Sequence, residues 1–397
     1  MISVEKAIKI LARNSAIGGT EKIPLAESVG RILAEDVIAD MDLPPFDRSQ
    51  MDGYAVIAKD TLNAPVQLKI VGESAAGKSW QGTLKSGEAV RIMTGAAVPK
   101  GADAVQRVEV TSESDAVVTI DETVKRGFSV VKLGTEIRKG KRVINAGERV
   151  TENMIATFAS FGFAKISVGK QPRVAILATG SEIVDVASKP KRDQIRNSNS
   201  PMLGVLCRRF GALPSILLSA KDNISDLKFQ ISSAAQNSDI LIITGGVSVG
   251  KYDLTKLALR ELEAELYFEK VSLKPGKPTV FGHLGKTLIF GLPGNPVSAA
   301  VAFHLFVRPA ILRFQGESNT SVTVGNAIIS SPIKAARDRD TYLPVSLATD
   351  SEARLVATPI PSQGSSDLVS IARANAYAFL KAGTRSEAGD VARIVYI

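Results

Sequence analysis

The amino-acid sequence predicts a multidomain α/β-plus-β protein: a doubly wound parallel-sheet domain, a β-rich module and a small C-terminal β-barrel. Three observations carry this expectation. A chain of 397 residues exceeds what one hydrophobic core supports. Between Pro172 and residue 313, short apolar runs alternate with helical patterns. On either side the pattern is short strands punctuated by glycine and proline, in a chain with 32 glycines, 18 prolines and 5% aromatics.

Taken in order, residues 3–13 read as a short amphipathic helix, with Ser3 as N-cap and Val4, Ala7, Ile8 and Leu11 on one face. A turn-rich stretch ends at Leu43-Pro44-Pro45-Phe46, where two prolines break any element. Strands at 66–71, 89–93, 104–110 and 116–120 make a small β-module. Mixed structure follows over 132–168, with a helix near 151–161. The texture changes at Pro172. Strands at 173–177, 215–218, 239–244 and 287–291 are separated by helical patterns at 201–210, 223–236, 253–264 and 297–313. Such alternation means a parallel sheet with both faces covered. From about residue 318 strands return, at 322–324, 342–347, 354–359, 376–380 and 391–396, as a separate small barrel or sandwich. The expected domains are 1–43 with 132–170, then 44–131, 171–317 and 318–397.

Composition excludes several function classes. The net charge of +9 points to anionic partners, but the basic residues are scattered and not interleaved with aromatics, so no nucleic-acid partner is expected. A small anionic substrate or a solvated basic surface fits better. No apolar run approaches the roughly 20 residues of a membrane span. The longest, 297–307, meets Arg308 and Pro309 and suits a buried helix. The start, Met1-Ile2-Ser3-Val4-Glu5-Lys6, has no signal-peptide character, and the single Cys207 suits a reducing compartment; a cytoplasmic location is expected. With only His283 and His304, zinc and Ser-His-Asp chemistry are nearly excluded, and His304 reads as a core residue. Catalysis then falls to carboxylates, lysines, backbone amides and a hard metal ion.

The sharpest motif is a decoy. Gly72-Glu73-Ser74-Ala75-Ala76-Gly77-Lys78-Ser79 matches the phosphate-loop pattern, yet Trp80-Gln81-Gly82-Thr83 follows where a helix is required. Three other loops are better placed, each after a strand of the alternating domain: Ala178-Thr179-Gly180-Ser181-Glu182, Gly245-Gly246-Val247-Ser248-Val249-Gly250 and Gly291-Leu292-Pro293-Gly294-Asn295-Pro296. Ligands of such sheets bind at the carboxyl ends of strands, where glycine lets backbone amides approach an anion. Together the loops make a pocket suited to a nucleotide or pterin phosphate. Asp253 either caps the following helix or holds a divalent metal. In Lys270-Val271-Ser272-Leu273-Lys274, strand alternation puts Lys270 and Lys274 on one face, either around an anion or on a solvated edge strand.

The set Met51-Asp52-Gly53-Tyr54-Ala55-Val56, Thr94-Gly95-Ala96, Gly101-Ala102-Asp103, Thr244-Gly245-Gly246-Val247-Ser248-Val249-Gly250, Lys274-Pro275-Gly276-Lys277-Pro278 and Pro293-Gly294-Asn295-Pro296 runs in order over essentially the whole chain. It resembles the molybdopterin molybdenumtransferases, the MoeA family that includes the C-terminal domain of gephyrin. The resemblance implies an elongated four-domain subunit with a molybdopterin-binding-like doubly wound domain. It also implies a homodimer whose pocket lies between that domain and the partner's β-module. The implied activity is insertion of molybdate into adenylylated molybdopterin with Mg2+-dependent release of AMP. A tungstate-preferring or non-catalytic scaffold member of the family is the alternative.

Residue by residue, the resemblance implies catalytic roles for Asp52, Thr94, Glu182, Asp253, Lys270 and Lys274, with Asp52, Glu182, Asp222 and Asp253 as metal ligands. It places Gly245, Gly246, Ser248, Gly250, Lys277, Pro293, Gly294, Asn295, Pro296, Ser298 and Ser365 around the substrate. Implied partners are a molybdopterin adenylyltransferase and molybdoenzyme apoproteins or their chaperones. The chain departs from the family pattern in two places. Val130-Val131-Lys132-Leu133-Gly134-Thr135-Glu136 stands where an arginine-rich run and Gly-Glu-Asp are usual, and Ser49-Gln50 stands where Ser-Ala is usual.

Overall fold

The structure, a computed structural model, describes residues 1–220, 223–246 and 254–397. These fall into two compact units: Met1–Glu35 with Ala146–Glu152 and Lys165–Ile397, and Asp36–Asn145 with Asn153–Ala164.

The first unit opens with the helix Val4–Asn14, where the Ser3 side chain accepts from Lys6 N at 3.2 Å. Val4, Ala7 and Leu11 are buried, but Ile8 is 38% exposed, so the buried stripe is narrower than the sequence suggests. At the centre lies a six-stranded sheet in the order Leu213–Ile216, Arg173–Ala178, Ile240–Thr244, Thr287–Leu292, Val280–Leu284, Glu265–Phe268. The first four strands are parallel, as expected. The last two run antiparallel, an edge the sequence did not reveal. Gly282 and His283 interrupt the apolar run of Val280–Leu284, and Gly282 is required because a Cβ there would overlap Glu265 O.

Period-two alternation covers both faces of this sheet. Val174, Ile176, Ile240, Ile242 and Phe290 pack with Leu203, Cys207 and Phe303 on one side. Ala175, Leu177, Leu241, Ile243 and Ile289 pack with Leu227, Ile231, Ala258 and Leu259 on the other. Because the chain leaves Arg173–Ala178 for one neighbour and returns on the other side, the sheet has its switch point between Ala178 and Thr244.

The helix Pro296–Phe314 is long and apolar enough to cross a bilayer, yet 83% of its apolar window is buried inside the protein. Its middle, Phe303–Val307, is a π turn in which Arg308 N donates to Phe303 O. Pro309 has no N–H to give and would crowd the preceding turn of a regular helix; the wider turn lets the helix continue.

His304 sits in that turn, 3% exposed, against the rings of Phe210, Phe303 and Tyr377. Burial, with the charges of Arg308 and Arg209, pushes its pKa from 6.5 down to about 3. Below its ordinary pKa the unfolded imidazole takes up a proton that the folded one refuses, so stability is lost as pH falls from 6.5 towards 3. Acidification from pH 7 to 5 is expected to cost about 2 kcal/mol through this residue. Urea melts of His304→Phe should show a correspondingly smaller loss than wild type; equal losses would clear His304 as the source.

Five C-terminal strands close on themselves in the order Asp340–Thr349, Leu355–Pro359, Val324–Ile329, Val391–Tyr396, Ala376–Leu380 and back to Asp340–Thr349. A barrel, not a sandwich, forms because its interior is lined by small residues, Ala327, Ala357, Ala376, Ala378 and Ala392, beside Ile329, Val345 and Ile394. The short strand Leu273–Lys274 adds to Asp340–Thr349 in parallel and so carries a lysine of the sheet domain to the barrel's edge.

The second unit is built on the sheet Ala104–Arg107, Gly53–Val56, Glu88–Ile92, Val66–Ser74, Val117–Ile120, Thr111–Ser114, which includes the expected strands of the β-module. Tyr54, Val56, Leu68 and Val118 fill one side, and Ala55, Val90, Ile92 and Val105 the other. Gly53 is obligatory at the start of its strand, since a Cβ there would overlap Gln106 O.

Candidate functional site

A cavity of about 1270 Å³ opens in the first unit, at the carboxyl ends of the parallel strands and against the barrel. Its floor is the three glycine-bearing loops. Thr179 N donates to Thr244 O at 3.0 Å, and Gly245 N donates to Leu292 O at 3.2 Å, so the loops after three adjacent strands lie edge to edge. Gly245 and Gly246 have φ values of 93° and 60°, which favour glycine. A Cβ on Gly245 would lie 2.5 Å from Thr179 O, and one on Gly246 would overlap Thr255 Oγ1. The barrel supplies the far wall. Asn295 Nδ2 donates to Ser365 Oγ at 2.7 Å, and Val297 N donates to Ser365 O at 3.1 Å.

Most sequence-predicted residues of this unit meet here. Glu182, Gly245, Gly246, Lys274 and Lys277 line the cavity, as do Pro293, Gly294, Asn295, Pro296, Ser298 and Ser365. Lys270 is not among the lining residues. The expected extended run 270–274 is broken: Leu273 N donates to Val271 O at 2.8 Å, a three-residue turn, and only Leu273–Lys274 is strand. The alternation that put Lys270 beside Lys274 therefore does not hold. Asp222, Ser248, Gly250 and Asp253 lie outside the described residues.

Arg196, Asn199 and Arg339 also line the cavity and were not singled out from sequence. Arg339 lies in Arg337-Asp338-Arg339-Asp340, whose alternating charges read as a solvated turn, and its Nε donates to Asp338 Oδ1 at 3.2 Å. Asn199 opens the helix Asn199–Arg209, where a polar residue reads as ordinary capping. Four cations, Arg196, Lys274, Lys277 and Arg339, thus face one described carboxylate, Glu182. A concave wall of this sign concentrates polyanions.

Asp52 and Thr94 come together in the second unit. Thr94 donates to Asp52 Oδ1 twice, from its backbone N at 2.6 Å and from Oγ1 at 2.8 Å. These bonds, on an exposed carboxyl that water already favours in its charged form, hold Asp52 below the usual carboxylate range and keep it ionised at neutral pH. The departures from the family pattern are also in this unit. Lys132 Nζ reaches Asp47 Oδ2 at 2.7 Å, Leu133 N donates to Asp47 Oδ1 at 2.8 Å, and Arg48 pairs with Glu136 at 3.4 Å. The altered 130–136 segment thus braces the loop that leads to Asp52.

The apparent phosphate loop is a tight turn. Val66–Ser74 is a strand, Ala75 and Lys78 exchange backbone bonds at 3.1 and 3.0 Å, and no helix follows. Gly72 and Gly82 are glycines because a Cβ on either would overlap the Trp80 indole. Without a helix N-terminus the loop has neither dipole nor amide cradle. Lys78→Ala is expected to leave turnover and thermal stability at wild-type values; ATP binding that disappears in this variant would reinstate a phosphate loop.

Comparison with known proteins finds three matched regions along the chain. Residues 2–162 match the MoeA N-terminal region (domains I and II), 175–313 a probable molybdopterin binding domain, and 326–396 the MoeA C-terminal region (domain IV). The molybdopterin molybdenumtransferase of Staphylococcus epidermidis is 34% identical over 399 residues, covering 99% of this chain and 95% of that protein. The one from Bacillus subtilis strain 168 is 34% identical over 405 residues, covering 100% and 94%. Among solved structures, a molybdopterin biosynthesis MoeA protein from Pyrococcus horikoshii OT3 matches all of both chains with a TM-score of 0.87 at 29% identity. Full-length identity to relatives, a doubly wound domain with glycine loops at its switch point and a closed five-stranded barrel agree: this chain belongs to the molybdopterin molybdenumtransferase family.

Proposed function

We propose that this chain inserts molybdate into adenylylated molybdopterin and releases AMP in a Mg2+-dependent step, the specific form of the molybdenum transfer for which its family is named. The observation that supports this most is the cavity itself: glycine loops at the switch point of the sheet, faced by Arg196, Lys274, Lys277 and Arg339. Backbone amides and cations of that kind suit a substrate carrying a pyrophosphate and an incoming tetrahedral dianion. As a water oxygen bonds to one phosphorus of the phosphoanhydride and the bridging P–O bond breaks, its protons passing to solvent, negative charge grows on the leaving phosphate, and the lysines and Arg339 are the groups placed to meet it. Such chemistry asks for positioning and charge neutralisation more than for a covalent catalyst, which suits a site poor in histidine.

Among the described residues no three acidic, histidine or cysteine groups cluster as a metal site. The donors at the cavity are nevertheless oxygens, the Glu182 carboxylate and a Thr179 hydroxyl that has no partner among the described residues. That donor chemistry fits a hard divalent cation. Glu182, Asp222 and Asp253 would hold Mg2+ against the substrate phosphates, with Asp52 facing them from a partner subunit. The cation would supply neutralisation of the pyrophosphate charge. A homodimer with two such composite sites, fed by a molybdopterin adenylyltransferase and serving molybdoenzymes in the cytoplasm, completes the reading.

The deciding assay incubates the protein with adenylylated molybdopterin, molybdate and Mg2+ and measures AMP. Molybdate-dependent release supports the proposal; none under any metal condition refutes it, and stronger stimulation by tungstate would reassign the anion. Lys274→Ala should weaken binding of AMP and of molybdate, with a larger loss at low salt, where screening is least. Unchanged affinities in calorimetry would place Lys274 outside the anion's reach.

A further inference from the structure

Thr244 ends the strand Ile240–Thr244, and Pro293 and Gly294 follow the neighbouring strand Thr287–Leu292. Their loops touch: a Cβ on Gly294 would lie 3.6 Å from Gly245 Cα. Across this seam sits Asn199, first residue of the helix Asn199–Arg209 and only 7% exposed. Its Nδ2 donates to Gly294 O at 2.7 Å and to Thr244 Oγ1 at 2.9 Å. Gly294 O can only accept, so the amide's nitrogen must be on that side and its orientation is settled. Thr244 Oγ1, already receiving a proton, turns its own hydrogen to Pro293 O at 3.4 Å. One donor chain therefore runs from the helix through the strand end to the second loop. Asn199 Oδ1, in contrast, has no partner among the described residues. A buried acceptor without a donor costs stability, which a residue serving stability alone would avoid.

We propose that Asn199 is a positioning residue for the transfer reaction, its amide locking the two glycine loops in the register that the substrate's phosphates require. The identity of the ligand rests on the function proposed above; the clamp does not. At the seam, Gly245, Gly246, Pro293 and Gly294 carry no side-chain donor, and the Asn295 amide is turned away to Ser365 Oγ. The helix that bears Asn199 is anchored by Leu203 and Cys207 in the core, so the amide is presented from a rigid element.

Asn199→Asp separates this role from simple packing. A carboxylate there has no proton to give and faces the Gly294 carbonyl; a protonated carboxyl restores one donor. Burial raises a carboxyl's pKa, so the switch falls within an accessible pH range. Arg196, Glu182, Lys274, Lys277 and Arg339 line the same cavity; their own titration is common to wild type and variant, while their net positive charge opposes burial at the new carboxyl and sets the pH at which it switches. The quantity to read is therefore the ratio of variant to wild-type affinity for AMP at each pH.

At pH 8 that ratio is expected to show a loss of about 10²-fold, the size of the penalty for setting a buried carboxylate against a carbonyl where a donor had been. Lowering the pH to 5.5 should recover about 10-fold of it through the protonated carboxyl. Asn199→Ala should lose as much at every pH. Hydrogen-exchange protection at the amides of Gly245, Gly246, Gly294 and Asn295, taken against the intrinsic rate at each pH, should fall in both variants and recover only in the acidified Asp variant. A pH-flat ratio shared by both variants, or wild-type protection of those amides in Asn199→Ala, would overturn the clamp. If wild type itself neither binds nor releases AMP, the proposed function fails, and the exchange measurement still decides the role of Asn199. Should Asn199→Asp not fold, Asn199→Ala decides through the protection of those amides and through its affinity for AMP, wild-type values of either overturning the clamp.

Discussion

Asp52→Ala is expected to lower molybdate-dependent AMP release by at least about 10²-fold while the protein stays folded. Asp52 is exposed, and its two bonds from Thr94 orient the carboxylate without holding up a core, so its removal costs the fold little. Its depressed pKa means that the charge is present across the neutral range, and alanine cannot replace it. The shared site of the proposed dimer adds a sharper form of the test. In the proposed dimer, Asp52 of one subunit serves the site that contains Asp253 of the other. Inactive Asp52→Ala and Asp253→Ala chains, unfolded together and reassembled, then give mixed dimers with one site lacking both carboxylates and one lacking neither. Random pairing makes half the dimers mixed, so roughly a quarter of wild-type activity should return. No recovery from well-mixed dimers would refute the shared site, and wild-type turnover by Asp52→Ala alone would remove Asp52 from the mechanism.

Gly245→Ala should be nearly as damaging, for a different reason. The position has a φ of 93°, and the new methyl would lie 2.5 Å from the Thr179 carbonyl oxygen. Two backbones cannot both stay, so one glycine loop must shift. A displacement near 1 Å in a catalytic site costs on the order of 10²-fold in rate. Gly30→Ala is the matched control: its φ is 81°, and a Cβ there meets nothing within 4 Å. Both substitutions carry the strain of a left-handed residue, about 1 kcal/mol, but only Gly245→Ala carries the collision. Melting temperatures should therefore fall modestly in both, while AMP release collapses only in Gly245→Ala. Wild-type rates in that variant would show that the Thr179–Gly245 seam does not shape the site.

Much of this was legible in the sequence because it depends on local pattern. Short apolar runs bounded by turn residues, such as those within Arg173–Ala178 and Ile240–Thr244, suit strands covered on both faces, and those strands are found in the centre of the sheet. Strand followed by glycine loop followed by helix marks a ligand-binding edge, and Gly245, Gly246 and Gly294 line the cavity. The false phosphate loop was legible too, because its motif needs a helix that Trp80-Gln81-Gly82 cannot start. What stayed hidden lacks a local signature. Gly282 and His283 disguised the antiparallel edge, whose strands Val280–Leu284 and Glu265–Phe268 are defined by each other's hydrogen bonds. Lys270 and Lys274 obey strand alternation on paper, but a turn at Val271–Leu273 separates them.

The sequence by itself determined the order of the α/β and β modules, the loops that carry chemistry and the family to which they belong. Side-chain period and turn residues act over a few positions, and a motif is read in the same few positions. Only the tertiary structure decided which cations share a wall. Lys274, Lys277 and Arg339 are brought together by the pairing of Leu273–Lys274 with Asp340–Thr349, across more than 60 residues of chain. It also decided that Asn199 spans two loops. Each of these is a contact between distant segments, set by which surfaces must be buried together, and no single stretch of the chain records it.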